Sequence, residues 1–184
     1  MTKKLNKDAY LLWIDLEMTG LDPEKDLVLE VAAELTDFNF RSIKSYKSLV
    51  FQPKEEVIKL MAANSWWQEY PENRDSFLDN IKFAKKIEDT QKDLLELIND
   101  LPNSIVYLAG NSIHLDRKFI AKFFPELDSR LHYRMLDVSS FKILFQEKYG
   151  IVFEKSNVHR AFDDIQASIA EIRHYLKYIK TDEK

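Results

Sequence analysis

Hydrophobic spacing changes character partway along the chain. Tyr10 to Leu16 is an apolar run that predicts a buried strand reaching Glu17. Leu27 to Thr36 predicts a second strand and Ile43 to Phe51 a third. Turn residues separate them, Gly20-Leu21-Asp22-Pro23 first and Asp37-Phe38-Asn39 next. Three strands in succession with short turns predict an antiparallel meander. From Pro53 the period becomes helical, with Val57, Leu60 and Met61 at helix spacing. Leu94, Leu95, Leu97 and Ile98 mark a further helix over Gln91 to Leu101, which Pro102 ends.

Beyond that proline, strands and helices alternate. Ile105 to Ala109 is a short continuous apolar run, a buried strand, and Gly110-Asn111-Ser112 is the turn after it. Asp116 to Phe124 predicts a helix stopped by Pro125, and Tyr133 to Val138 a fifth strand. Ser139 to Tyr149 predicts a helix with Gly150 as its C-cap. The last helix, Arg160 to Ile179, is the clearest, with Ile165, Ile169, Ile172, Leu176 and Ile179 every three or four residues. The expected class is α/β: a mixed sheet, antiparallel meander plus parallel strands, flanked by helices.

Composition narrows this picture. A length of 184 residues predicts one domain, residues 1–184, with flexible ends at 1–8 and 181–184. The absence of cysteine excludes disulfides and thiolate metal sites. No apolar run approaches the roughly 20 residues of a membrane span, and the lysines near the N-terminus lead into no apolar signal region. A cytoplasmic protein is the expectation. The net charge of −4 carries no block of one sign. A protein gripping long nucleic acid usually shows a basic face, so any nucleic acid handled here would be short, or held only at an end.

The candidate chemistry starts in the first strand. Asp15 and Glu17 are two residues apart and so point to one face of a strand whose other residues read as core. Adjacent carboxylates there repel and lose hydration, a cost that a hard divalent cation offsets. A solvated acidic pair on an edge strand is the plainer alternative. Asp116 falls at the start of a helix after the fourth strand, and Asp163-Asp164 in the first turns of the last helix. Each alone is explained by the helix dipole. His159 immediately precedes that last helix, five residues before Asp164. Taken together, these strand and helix ends could face one crevice of an open α/β sheet.

Three segments then form a pattern. Trp13-Ile14-Asp15-Leu16-Glu17-Met18-Thr19-Gly20-Leu21-Asp22-Pro23, Gly110-Asn111-Ser112-Ile113-His114-Leu115-Asp116-Arg117-Lys118-Phe119 and His159-Arg160-Ala161-Phe162-Asp163-Asp164-Ile165 resemble the three motifs of the DEDDh 3′–5′ exonuclease family. The resemblance is strongest to its oligoribonuclease branch, as His132-Tyr133-Arg134-Met135-Leu136-Asp137-Val138-Ser139 also indicates. It runs from about Leu11 to Tyr178 and is weakest between Lys54 and Asn103.

The resemblance implies a ribonuclease H-like fold and a two-metal mechanism. Asp15, Glu17, Asp116 and Asp164 would hold two divalent ions, Mg2+ or Mn2+, and His159 would be the general base. Asp163 would not be a ligand. The activity implied is 3′-to-5′ hydrolysis of short oligoribonucleotides, especially dinucleotides, to nucleoside 5′-monophosphates. Leu21 would wedge between the two bases, and Ser112, Arg134 and Ser139 would cap the 5′ phosphate. Tyr133 would reach the cap from a partner subunit, in a homodimer. A stacking tryptophan is implied after the third strand. Trp66 is its candidate, with spacing shifted by a small insertion and helix packing as the alternative for both Trp66 and Trp67. The second motif departs from common versions at Ile113-His114, and His114 is given no role. Asp137 reads as a helix cap and Glu30 as structural. The competing readings are a related exonuclease of longer RNA or single-stranded DNA, in proofreading or RNA trimming, and an inactive module that only holds RNA ends.

Overall fold

The structure is a computed structural model that describes residues 8–101, 103–154 and 161–180. The expected flexible segments, apart from Asp8, therefore lie outside the described residues, as does His159. Five strands form one sheet: β1 (Ala9–Met18), β2 (Val28–Thr36), β3 (Ser42–Leu49), β4 (Ile105–Gly110) and β5 (Met135–Asp137). Their order is β3-β2-β1-β4-β5. β1 pairs antiparallel with β2, and β2 with β3, which is the expected meander. β4 joins β1 in parallel and β5 joins β4 in parallel. Asp8 adds to this side, its carbonyl accepting from Ile105 N at 2.9 Å.

The helices are α1 (Lys54–Ala63), α2 (Ser65–Glu69), α3 (Pro71–Asn80), α4 (Ile87–Glu96), α5 (His114–Phe123), α6 (Pro125–Arg130), α7 (Val138–Tyr149) and α8 (Ala161–Leu176), with a 3-10 turn at Ile81–Phe83. Several details differ from expectation, among them α4, which runs Ile87–Glu96 rather than Gln91 to Leu101 and so ends before Pro102. Pro125 does not merely stop α5 but opens α6 as its first residue, where its missing N–H costs nothing. β5 is only three residues long, so His132 to Arg134 form a loop before it. The segment from Lys54 to Phe83 contains three short helices, of which only the first was legible. Gly150 does cap α7, at φ +65°, a left-handed conformation that side chains disfavour.

β1 is the centre of the molecule and is buried on both faces. Leu12, Ile14 and Leu16 pack with Leu94, Phe119, Ile120 and Leu127 beneath α4, α5 and α6. Leu11 and Trp13 pack with Ile165, Ile169 and Ile172 of α8 on the other face. Strand alternation then decides where the acids go. Asp15 and Glu17 continue the odd-numbered row and emerge on the α8 face. Their end of β1 is also where the parallel strands β4 and β5 end, the usual place for a crevice in an α/β sheet. Among the described residues no helix is long and apolar enough to cross a membrane.

The seat of α8 on β1 is an apolar contact, and it has a measurable worth. Ile172 is 1% exposed and lies two turns beyond Asp164. Ile172→Ala is expected to destabilise the fold by about 2–5 kcal/mol, the usual range for such a cavity, read as a lower urea midpoint at unchanged m-value.

Candidate active site

Three of the expected carboxylates meet. Asp15, Glu17 and Asp164 each offer an oxygen atom within 4.8 Å of the others, all half-buried. β1 contributes two of them and the first turn of α8 the third. Asp163, one residue earlier on the helix, is exposed and takes no part in the grouping.

Asp116 lies outside that grouping but is bound to the same strand. β1 runs on past its last pair with β4, Trp13 opposite Ala109. Beyond that point the Asp116 side chain stands in for a neighbouring strand: Leu16 N donates to its Oδ1 at 3.0 Å. Leu16 is the residue between Asp15 and Glu17, so α5 is anchored at the centre of the acidic pair. Burial pushes the Asp116 carboxyl up to about 7, against the opposing pull of the bond from Leu16 N. The donor set consists of oxygen alone and fits a hard divalent cation.

The loop after β1 is held by an aspartate that the sequence reading passed over. Thr19 Oγ1 donates to Asp26 Oδ1 at 3.0 Å, and Asp22 N donates to Asp26 Oδ2 at 3.0 Å. Gly20 packs directly on this carboxylate, where a Cβ would stand 2.5 Å from Asp26 Oδ2. Leu21 sits at the tip of this closed loop, 64% exposed.

The Thr19 carbonyl extends the same brace to α2. It accepts from Asn64 Nδ2 at 2.8 Å and from Trp67 Nε1 at 3.1 Å. Trp67 is fully buried and structural, one of the two alternatives the sequence left open. Trp66 is only half-buried and packs edge-on to Trp67 and beside Tyr70, with ring centroids 4.6 and 4.8 Å away. Of the pair, Trp66 is the one that keeps partial exposure to solvent.

The other expected contacts gather at the turn after β4. Asp137 caps α7 as expected, its Oδ1 accepting from Ser139 N at 2.9 Å and from Ser112 N at 3.0 Å. Ser112 N also donates to Ser139 Oγ at 2.9 Å, and the two hydroxyls are 3.2 Å apart. Ser112 has φ +49°, unusual for a residue with a side chain. Such strain commonly accompanies functional sites. Tyr133 is 72% exposed, and the Arg134 guanidinium lies over its ring at 5.3 Å. Arg117 Nη1 donates to the His132 carbonyl at 3.0 Å and so steadies this loop from α5. His114 stands 3.7 Å from Asp137 Oδ2.

Behind the turn, Asn111 reaches α8, where Ser168, Glu171 and Tyr175 form a polar row with Asp164. Positions 164, 168, 171 and 175 recur at helical spacing. That signal was present in the sequence, interleaved with the isoleucine stripe.

Comparison with known proteins gives a consistent result. The family described as Exonuclease, RNase_T, matches residues 12–172. The oligoribonuclease of Francisella tularensis subsp. novicida (strain U112) is 39% identical over 168 residues, 90% of this chain and 93% of that one. The mitochondrial oligoribonuclease of Bos taurus is 34% identical over 183 residues, 95% of this chain and 76% of that one. Among solved structures, E. coli exonuclease I in complex with a 5cy-dA13 oligonucleotide superposes with a TM-score of 0.60 at 14% identity, over 92% of this chain. This chain spans only 40% of exonuclease I, and the likeness concerns the fold, a ribonuclease H-like one. The chain therefore belongs to the RNase_T exonuclease family, nucleases that hydrolyse phosphodiester bonds, and within it to the oligoribonucleases.

Proposed function

We propose that this chain removes nucleoside 5′-monophosphates from the 3′ end of short RNA, with dinucleotides as the preferred substrate. The observation that carries this is the convergence of Asp15, Glu17 and Asp164, with Asp116 fastened to the same strand at Leu16. These four residues would hold two divalent ions, Mg2+ or Mn2+. Bound there, the ions supply an activated water and charge stabilisation at the leaving 3′ oxygen.

The chain's own residues do the rest. His159 takes the proton from the attacking water, a role suited to a group titrating near neutral pH. Leu21, on its braced loop, inserts between the two bases, and Trp66 stacks on one of them. Ser112, Ser139 and Arg134 close around the 5′ phosphate, where a guanidinium fork suits the phosphate oxygens. A longer chain would have to pass through this closure, which gives the preference for short substrates. Tyr133 completes the closure of a second subunit. Its exposure, with that of Met135, Ile143 and Leu144, supports a homodimer whose contact covers this surface.

Four outcomes are expected. Divalent metal relieves the carboxylate cluster, so Mg2+ or Mn2+ at about 100-fold over Kd should raise the melting temperature by roughly 5–10 °C. In EDTA the native Asp116 holds a proton that the unfolded chain has already released, so stability falls as pH rises from about 4 to about 7. Asp116→Asn should flatten that slope, and saturating metal should suppress it. No thermal shift with metal counts against the ion site.

His159→Ala should lower turnover by about 10²–10⁴-fold while metal-dependent dinucleotide binding persists. Near-normal turnover removes His159 from the mechanism.

A ribodinucleotide should be cleaved faster than a longer RNA or a single-stranded DNA, compared at equal concentrations by chromatography of products. Faster cleavage of either longer substrate favours the proofreading or trimming reading instead.

A further inference from the structure

Helix α8 carries a buried carboxylate that the hydrolysis does not use. Glu171 is 2% exposed, two turns beyond Asp164. Its Oε1 accepts from Tyr175 Oη at 2.9 Å and its Oε2 from Asn111 Nδ2 at 3.0 Å. The second N–H of Asn111 goes to Ser168 Oγ at 2.9 Å, and Ser168 Oγ donates to the Asp164 carbonyl at 2.8 Å. On its other side Asn111 Oδ1 accepts from Ser139 Oγ at 3.1 Å.

This chain of bonds has a direction, and one residue sets it. A carboxylate only accepts, and an amide has one donating and one accepting end. Glu171 therefore draws the amino end of Asn111 toward itself and leaves the oxygen facing Ser139. Ser139 has a single hydroxyl proton, and Asn111 takes it. In the 3.2 Å contact between the two serine hydroxyls, Ser112 is then the donor. That contact is the longest in the series, so the Ser112 proton is the one an outside acceptor can most easily draw away. Burial and the neighbouring Glu171 push the Tyr175 hydroxyl up to about 12, so it too stays a donor into Glu171.

We infer that Glu171 is a positioning residue for the 5′ end of the substrate: through Asn111 and Ser139 it presents the Ser112 hydroxyl as a proton donor to a 5′ phosphate. The inference rests on the reading of Ser112 and Ser139 as the closure around that phosphate. It adds a remote residue that sets the polarity of the closure. It also explains a buried acid well away from the carboxylate cluster.

The test uses the full chain with Mg2+ and one ribodinucleotide prepared with and without a 5′ phosphate. Glu171→Gln keeps the shape but offers Asn111 either a donor or an acceptor, so the amide is no longer directed. The KM for the 5′-phosphorylated substrate should rise about tenfold, the worth of one hydrogen bond to a charged group. The kcat, and the KM for the unphosphorylated substrate, should stay within about twofold. The exchange variant Asn111→Asp with Glu171→Gln returns an acceptor toward Ser139 and should recover the discrimination. Tyr175→Phe should lower stability and leave the discrimination intact.

Equal loss on both substrates, an unchanged KM, or a loss that the exchange does not repair overturns the inference. If Glu171→Gln does not fold, the exchange variant decides. Wild-type discrimination there supports the inference, and absence of discrimination or of folding overturns it. Ser112→Ala separates the two levels. If it keeps the preference for the 5′ phosphate, the closure itself is misread. If it loses that preference while Glu171→Gln keeps it, only the role of Glu171 falls.

Discussion

The hydrogen bond from Leu16 N to the Asp116 carboxylate fixes more of this site than any other single contact. It joins the core strand to α5 at the residue between the two strand acids. Without it, a backbone N–H at the edge of the core would be left without a partner, and such groups are costly. With it, the position of Asp116 follows from the position of β1. The opposite face of β1 fixes α8 through Trp13 and the isoleucine row, and so fixes Asp164. One strand thus locates all four acids, by a polar bond at its edge and an apolar contact on its face.

Much of this was legible because it repeats. The acidic pair at Asp15 and Glu17 stands out against an apolar run, and the two-residue period places both on one face. The isoleucines of α8 give an unambiguous helix with a known inner side, and Gly150 marked the end of α7. The structure places Asp137 as the expected cap, and Glu30 is buried and paired with Lys47 at 2.8 Å.

What escaped notice has physical reasons. α2 and α3 are short and carry little apolar periodicity, because they lie over a small cluster around Trp67, Met61 and Phe77 rather than over the main core. The bonds that shape the loop after β1 run from Thr19 and Asp26 to backbone groups and to Asn64, residues common in any loop. Polar side chains within α8 were masked by the stronger isoleucine signal beside them. The separation of Trp66 from Trp67 also required coordinates, since adjacent residues of a helix point in different directions and nothing in the dipeptide says which is inward.

The Thr19 carbonyl has a consequence for how the loop after β1 and the start of α2 move. One oxygen atom receives both Asn64 and Trp67, and the residue that owns it begins the loop ending in Leu21. Two groups on separate segments therefore share a single anchor and cannot drift apart independently. A displacement of the start of α2 is passed to the start of the loop after β1 through that one atom.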